Sequence, residues 1–327
     1  MTKLAILGAT GMVGDKILEM IEKYDIKYNE LILYASKNSA GQEVKVNGET
    51  IKIKELTEEV PNEQFDYVIM AAGGKLSSIY APLFEEKGTI VIDNSSYFRM
   101  HEDIDLIVPE INTPKLERKI IANPNCSTTQ AVVALKPLYD KFGIERVSYV
   151  TYQAVSGSGV AGINDLRNGE KGEAPTTYEK PIYNNVLPHI DDFLDSGYTK
   201  EEQKMIDETK KILGDQDIKV TATCVRVPVE NSHSVEMNVT FKKDASVQSI
   251  REAFDGLSHI VLMDEVENLI YPTPEDANDR NEVFVGRIRK DDSLNNTFHL
   301  WCVADNLLKG AAQNSVQILK QLQEMKK

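Results

Sequence analysis

A short apolar run that ends in a turn of three glycines limits what this chain can fold into more than any other feature. Gly8-Ala9-Thr10-Gly11-Met12-Val13-Gly14 follows the run Leu4 to Leu7 and opens a stretch of helical periodicity, Met12 to Lys23. A strand that passes through glycines into a helix turns sharply and lets its backbone approach a pyrophosphate, whose charge then rests on helix N-terminal amides. Gly8, Thr10, Gly11, Met12, Val13 and Gly14 are therefore candidates for cofactor contact. The spacing is G-x-x-G-x-x-G, not the commoner G-x-G-x-x-G, and a simple glycine-rich turn is the alternative.

The next segments keep the same rhythm. Apolar runs Leu31 to Ala35, Tyr67 to Ala71 and Thr89 to Ile92 alternate with helix-period stretches, as in a parallel sheet. The second run ends in Ser36-Lys37-Asn38-Ser39, where an NAD-specific fold usually carries an acid for the ribose 2'-hydroxyl. Ser36, Lys37 and Ser39 instead offer donors and a cation to a 2'-phosphate, so NADP is favoured over NAD; a solvated loop lysine is the plain alternative. Gly73, in Ala71-Ala72-Gly73-Gly74, is a second point where backbone can approach a cofactor, or only a strand-to-helix turn.

From about Ile144 the rhythm changes. Longer extended segments, Arg146 to Val155, Ile218 to Val229, Ser234 to Phe241 and Phe298 to Ala304, predict a mixed, largely antiparallel sheet. Helices are expected over Ser127 to Lys141, Thr199 to Leu213, Val247 to Leu257 and from Asn306 to about Gln323. The fold class is thus α/β with two domains, in keeping with 327 residues.

Composition closes off several functions. The chain carries 37 basic and 51 acidic residues, a net charge of -14, with no basic stripe for a phosphate backbone, so nucleic acid is not an expected partner. No apolar run approaches the about 20 residues of a membrane span, and no leader-like segment precedes the first strand; a cytoplasmic location is expected. No metal site is expected. Three cysteines, an odd number in a long chain, read as free thiols.

Of these thiols, Cys126 is distinct. Asn123-Pro124-Asn125-Cys126 precedes an apolar helical stripe, Ala131 to Phe142, that stops at Gly143. A cysteine at a helix N-terminus is stabilised as thiolate, the nucleophilic form. Cys224 and Cys302 lie inside apolar extended segments and read as packing thiols. A thiolate with a nicotinamide cofactor points to attack on an aldehyde, hydride transfer and a thioester. Of five histidines, His101, His189, His259 and His299 lack polar companions in sequence. His233 ends Arg226-Val227-Pro228-Val229-Glu230-Asn231-Ser232-His233, where Pro228 and Asn231-Ser232 break the strand. A turn there can bring Arg226 and His233 into one pocket as anion clamp and general base, although a structural histidine fits the spacing equally well.

Gly8 to Gly14, Asn125-Cys126, Gln153-Ala154-Val155-Ser156-Gly157-Ser158-Gly159, Glu201-Glu202-Gln203-Lys204, Arg226 to His233 and Asp305 to Ala312 together resemble the aspartate-semialdehyde dehydrogenases. The resemblance runs through essentially the whole chain. It implies an NADP-dependent, phosphorylating enzyme that interconverts aspartate semialdehyde, with inorganic phosphate, and aspartyl phosphate, and a homodimer formed through the second domain. It implies Cys126 as nucleophile, Gln153 as orienting residue and His233 as acid-base residue. It further implies Arg226 on the substrate carboxylate, Glu201 on its ammonium, Arg99 and Lys204 on phosphate with Asn125 beside them, and Ser156, Gly157 and Asn306 on the cofactor. Cations suit an oxyanion and a carboxylate suits an ammonium, yet Glu201 and Lys204 also lie in a charged stretch that a solvated helix face would explain. Gln203 departs from the pattern, since many relatives carry an aromatic there.

By the same resemblance the last helix returns to the cofactor domain. That gives a Rossmann-type domain over 1–126 and 306–327 and an α+β catalytic and dimerisation domain over 127–305. Asn164 to Tyr183 is expected as an extended excursion. An N-acetyl-glutamyl-phosphate reductase is the nearest enzyme alternative, and Glu201, suited to a free ammonium, argues against it. A non-catalytic NADP sensor would not need Cys126, Gln153, Arg226 and His233 together.

Overall fold

The structure is a computed structural model that describes residues 2–325. Met1 and the last two lysines, ends of the expected first-domain segments, lie outside the described residues. The chain divides into two compact units, residues 1–124 with 311–327, and residues 125–310.

The first unit contains β1 (Lys3–Leu7), α1 (Met12–Lys23), β2 (Glu30–Ala35), β3 (Glu43–Val46), β4 (Glu49–Lys52), β5 (Lys54–Glu55), β6 (Tyr67–Met70), α2 (Gly74–Glu86), β7 (Ile90–Asp93), β8 (Asp105–Leu106) and β9 (Ile120–Ala122). Seven of these strands form a parallel sheet in the order β5-β2-β1-β6-β7-β9-β8. Leu4 to Leu7 and Tyr67 to Met70 are buried without a gap, as a strand covered on both faces demands. The antiparallel pair β3–β4 stands apart from that sheet. Helix α2 is masked in the sequence by its glycine start and by Pro82 within it, both of which read as breaks.

The second unit contains α3 (Cys126–Phe142), β10 (Ile144–Gln153), α4 (Gly159–Glu170), α5 (Lys200–Leu213), β11 (Lys219–Arg226), β12 (His233–Phe241), α6 (Val247–Glu252), β13 (Ile260–Leu262), α7 (Pro274–Ala277), β14 (Val283–Lys290) and β15 (Thr297–Ala304). Its sheet order is β11-β10-β12-β15-β14-β13. The three central pairings are antiparallel and the two outer ones parallel. Helix α3 packs against this sheet and against α5. A π-helical turn, Leu308–Ala312, then leads into α8 (Gln313–Met325). Asn314 of α8 donates to Ile107 O at 2.9 Å and to Asn123 Oδ1 at 2.7 Å, which fastens it to the first unit.

Three sequence expectations are corrected here. The excursion over Asn164 to Tyr183 starts inside α4, a helix whose glycines hide it. The loop after it folds back because the Asp165 carboxylate accepts from the amides of Thr176, Thr177 and Tyr178. Helix α6 stops at Glu252 rather than Leu257, and regular α-helix at the chain end begins at Gln313 rather than Asn306. Among the described residues no helix is long and apolar enough to cross a membrane.

Candidate active site

The glycine turn of the first unit is built from backbone. Gly8 and Ala9 amides both donate to Tyr34 O, at 2.9 and 3.1 Å, and Gly8 adopts φ +86°. A methyl group on Gly8 would lie 2.7 Å from the Ala71 carbonyl carbon, and one on Gly14 2.8 Å from that of Ala9. Gly11 caps α1 without any side-chain hydrogen bond, which leaves first-turn amides for an anion. These residues, with Thr10, Met12 and Val13 on the same turn, fit the pyrophosphate of a dinucleotide. Ser36 and Ser39 close a turn through Ser39 N to Ser36 O at 2.9 Å, with the Lys37 side chain exposed. Gly73, at φ +83°, has open space where a side chain would project. Arg99 is buried in this unit and donates to Asn123 O and Asn94 O at 2.8 and 3.0 Å.

In the second unit the thiol stands at the start of α3. Asn125 caps that helix, its Oδ1 accepting from Ser127 N at 2.9 Å and Thr128 N at 3.2 Å. The cap is itself held: Asn125 N donates to the Glu208 carboxylate at 2.6 Å, and Asn125 Nδ2 to Glu201 at 2.8 Å. Glu201 also accepts from Gln153 Nε2 at 3.2 Å. On another side the backbone of Gly310 leaves no room, since a methyl there would lie 2.7 Å from Cys126 Cβ. Cys126 is partly exposed, whereas Cys224 and Cys302 are buried, and burial pushes both of their thiols well up.

Arg226 pairs with Gln153 at the end of the β10–β11 ladder. After it the chain turns through Ser232, which adopts φ +71° and donates its amide to Asn306 Oδ1 at 2.9 Å. The turn returns His233 to the same place. Ala154 holds both side chains: its amide donates to His233 Nδ1 at 3.0 Å, and its carbonyl accepts from Arg226 Nη1 at 2.7 Å. A methyl on Gly157 would lie 2.8 Å from Arg226 Nη1 and 3.3 Å from His233 Nε2. The two side chains expected in one pocket thus flank a single glycine. Ser156 and Asn306 hydrogen-bond to each other at 3.0 Å beside them.

Because Nδ1 accepts the Ala154 N–H, the neutral ring carries its proton on Nε2. That nitrogen and Arg226 Nε are buried and have no hydrogen-bond partner among the described residues. Burial, and then the Arg226 charge, hold the His233 imidazolium well below its ordinary range, so the ring is neutral.

Helix α5 supplies the carboxylates. Glu201, Glu202 and Glu208 are buried, so the charged stretch is not simply a solvated face. Glu202 closes a capping box with Thr199 and accepts from Cys224 N at 3.0 Å. Burial pushes the Glu201 carboxyl up, but Lys204 and the Asn125 and Gln153 donors outweigh it and leave it below the ordinary value. Lys204 Nζ lies 3.2 Å from Glu201 and 2.8 Å from Asp191. A cavity of about 200 Å³ is lined by Arg226, Ser158, Tyr178, His189 and Asp191 among others.

Sequence reading missed Ala154, Glu208 and Gly310. Ala154 acts through its backbone, and the other two meet Asn125 and Cys126 only through long-range packing. Two histidines without polar companions in sequence gain them in the fold. His299 Nδ1 lies 2.6 Å from Glu236 and Nε2 3.5 Å from Asp291, because β12 and the loop after β14 flank it. His189 stacks on Phe193 and lies 3.5 Å from Glu179. Among the described residues no cluster of three or more His, Cys, Asp or Glu is placed to hold a metal.

Two family models match, in chain order: semialdehyde dehydrogenase, NAD binding domain, over residues 3–119, and semialdehyde dehydrogenase, dimerisation domain, over 135–309. The aspartate-semialdehyde dehydrogenase of Aquifex aeolicus (strain VF5) is 46% identical over 331 residues, 98% of this chain and 97% of the relative. That of Bacillus subtilis (strain 168) is 43% identical over 338 residues, covering 98% and 97%. Among solved structures, aspartate semialdehyde dehydrogenase II complexed with ASA, from Vibrio cholerae, superposes with TM-score 0.94 at 41% identity over 99% of both chains. Aspartate semialdehyde dehydrogenase with NADP from Candida albicans gives TM-score 0.75 at 26% identity over 99% of both. With identity above two fifths along nearly its whole length and both models in order, the chain belongs to the aspartate-semialdehyde dehydrogenase family of nicotinamide-dependent oxidoreductases.

Proposed function

We propose that this chain converts L-aspartate 4-semialdehyde and inorganic phosphate to L-4-aspartyl phosphate, and the reverse, with NADP and through a thioester on Cys126. The observation that carries the reading is the hydrogen-bonded series from the Asn125 cap through Glu201 to Gln153, which ends on Ala154 with His233 and Arg226.

In this reading the Cys126 thiolate, favoured by the start of α3, adds to the aldehyde carbon. His233 offers its Nε2–H to the oxygen that becomes negative, the donor side of its acid-base role. The residues assigned to NADP below would hold it, and it would supply the hydride acceptor. Phosphate then attacks the thioester carbon, the C–S bond breaks, and the thiolate returns as aspartyl phosphate leaves. Arg226 grips the substrate carboxylate and Glu201 its ammonium, while Gln153 orients the reacting carbonyl. Lys204 and Arg99 are assigned to phosphate, with Asn125 beside them.

Gly8 to Gly14 hold the pyrophosphate, and Ser36, Lys37 and Ser39 the 2'-phosphate. Gly73, Ser156, Gly157 and Asn306 are further proposed cofactor contacts. A cytoplasmic homodimer completes the reading. The dimerisation-domain match supports the homodimer.

The test is a direct assay with aspartate semialdehyde and with N-acetyl-glutamate semialdehyde, each with and without phosphate. NADP reduction should require phosphate and aspartate semialdehyde. Preference for the acetylated substrate, or indifference to phosphate, would overturn the reading.

A further inference from the structure

The cation assigned to phosphate is already occupied by an acid. Lys204 Nζ stands between the Glu201 carboxylate at 3.2 Å and the Asp191 carboxylate at 2.8 Å. Glu201 has a role in the site through Asn125 and Gln153. Asp191 has none, and it comes from the irregular stretch ahead of α5. Its backbone takes φ +69°, a conformation unusual for a residue with a side chain. The stretch is pinned there from the next residue: Lys200 donates its amide to Asp192 O at 2.8 Å and its ammonium to the Asp192 carboxylate at 2.6 Å. Asp191 itself borders the cavity that Arg226 lines. One ammonium between two carboxylates leaves a net negative charge, which repels a phosphate dianion.

We propose that Asp191 is a stand-in for phosphate: its carboxylate holds the anion position on Lys204 until inorganic phosphate, or the phosphoryl end of aspartyl phosphate, displaces it. The inference rests on the assignment of Lys204 to phosphate. The exchange is chemically even, because a carboxylate and a phosphate both accept from an ammonium, and phosphate brings more oxygens and more charge. The position is also open to exchange, because 34% of the Asp191 side chain remains in contact with solvent and its hydrogen bond from the Asp192 amide, at 2.9 Å, is local to the same turn. Asp191 thus sets the phosphate concentration that the reaction needs without touching the thiol.

The experiment compares Asp191→Asn with Lys204→Met in the full chain, measuring KM for phosphate, KM for aspartate semialdehyde and kcat. Asparagine keeps the shape and tolerates the left-handed backbone. Asp191→Asn should lower the phosphate KM about fivefold, the scale of a partly exposed ion pair, with kcat and the semialdehyde KM unchanged. Asp191→Glu, which keeps the charge, should stay near the wild-type phosphate KM. Lys204→Met should raise that KM. If Lys204→Met leaves the phosphate KM alone, the Lys204 assignment fails. If it raises the KM while Asp191→Asn leaves it unchanged or raises it, the stand-in alone is overturned.

Discussion

The glycine turn and the thiol setting solve the problem of holding a reactant in opposite ways. The turn uses backbone from one short run, and its requirement is the absence of side chains at Gly8 and Gly14. The setting around Cys126 uses side chains drawn from α3, α5, β10, β11 and β12, joined through Asn125, Glu201, Gln153, Arg226 and His233. A locally encoded site is broken by adding atoms; a dispersed site is broken by removing them.

The largest effect expected from this difference is at the thiol. Cys126→Ala should cut turnover by at least about 10⁴-fold, the scale on which a lost nucleophile is felt, and leave NADP binding intact. Alkylation should fall on Cys126 and be slowed by substrate. Turnover in Cys126→Ala close to wild type would end the thioester mechanism. Removal of atoms in one unit would then leave the other unit's ligand unaffected.

At the turn, addition is the damaging change. Gly14→Ala forces a methyl against the Ala9 carbonyl carbon and should cost about 1 to 3 kcal/mol of stability, with cofactor affinity reduced. Denaturant unfolding and cofactor titration measure the two losses. A Gly14→Ala protein of wild-type stability and affinity would show that the turn has slack.

The smallest effect sharpens the comparison, because Lys37 is a side chain within the otherwise backbone-built site. Lys37→Ala should weaken NADP by about 1 to 2 kcal/mol, a charge-assisted hydrogen bond reduced by the exposure of Lys37, and leave NAD nearly untouched. Equal losses for both cofactors would show that Lys37 does not read the 2'-phosphate.

What the sequence revealed follows the same division. Gly8 to Gly14 and the start of α3 at Asn125-Cys126 are readable because residues a few positions apart determine them. Arg226 and His233 are seven positions apart, and the break at Pro228 to Ser232 made their meeting a reasonable expectation. Glu208 is different: it falls on the apolar face of α5 between Met205 and Ile212, but 83 residues separate it from Asn125, and helical spacing does not name a partner so far away. The companions of His299 come from β12 and from the loop after β14, which flank it only in the sheet. Helix α4 is hidden by its glycines, and α2 by Pro82. Local chemistry is visible in a single sequence, whereas partnership across the fold appears only once the register is known.

The hydrogen bond from Asn125 to Glu208 has a consequence in time. A chain growing from its N-terminus exposes Cys126 before Glu201, Glu208, His233 or Gly310 has been synthesised. At about 5 to 20 residues per second, the 83 residues between Asn125 and Glu208 take roughly 4 to 17 s. During that interval the cysteine has neither its buttressed cap nor the glycine behind it. The nascent polypeptide therefore carries Cys126 at an unbuttressed helix start, and the setting is completed only when the later half of the chain has folded around it.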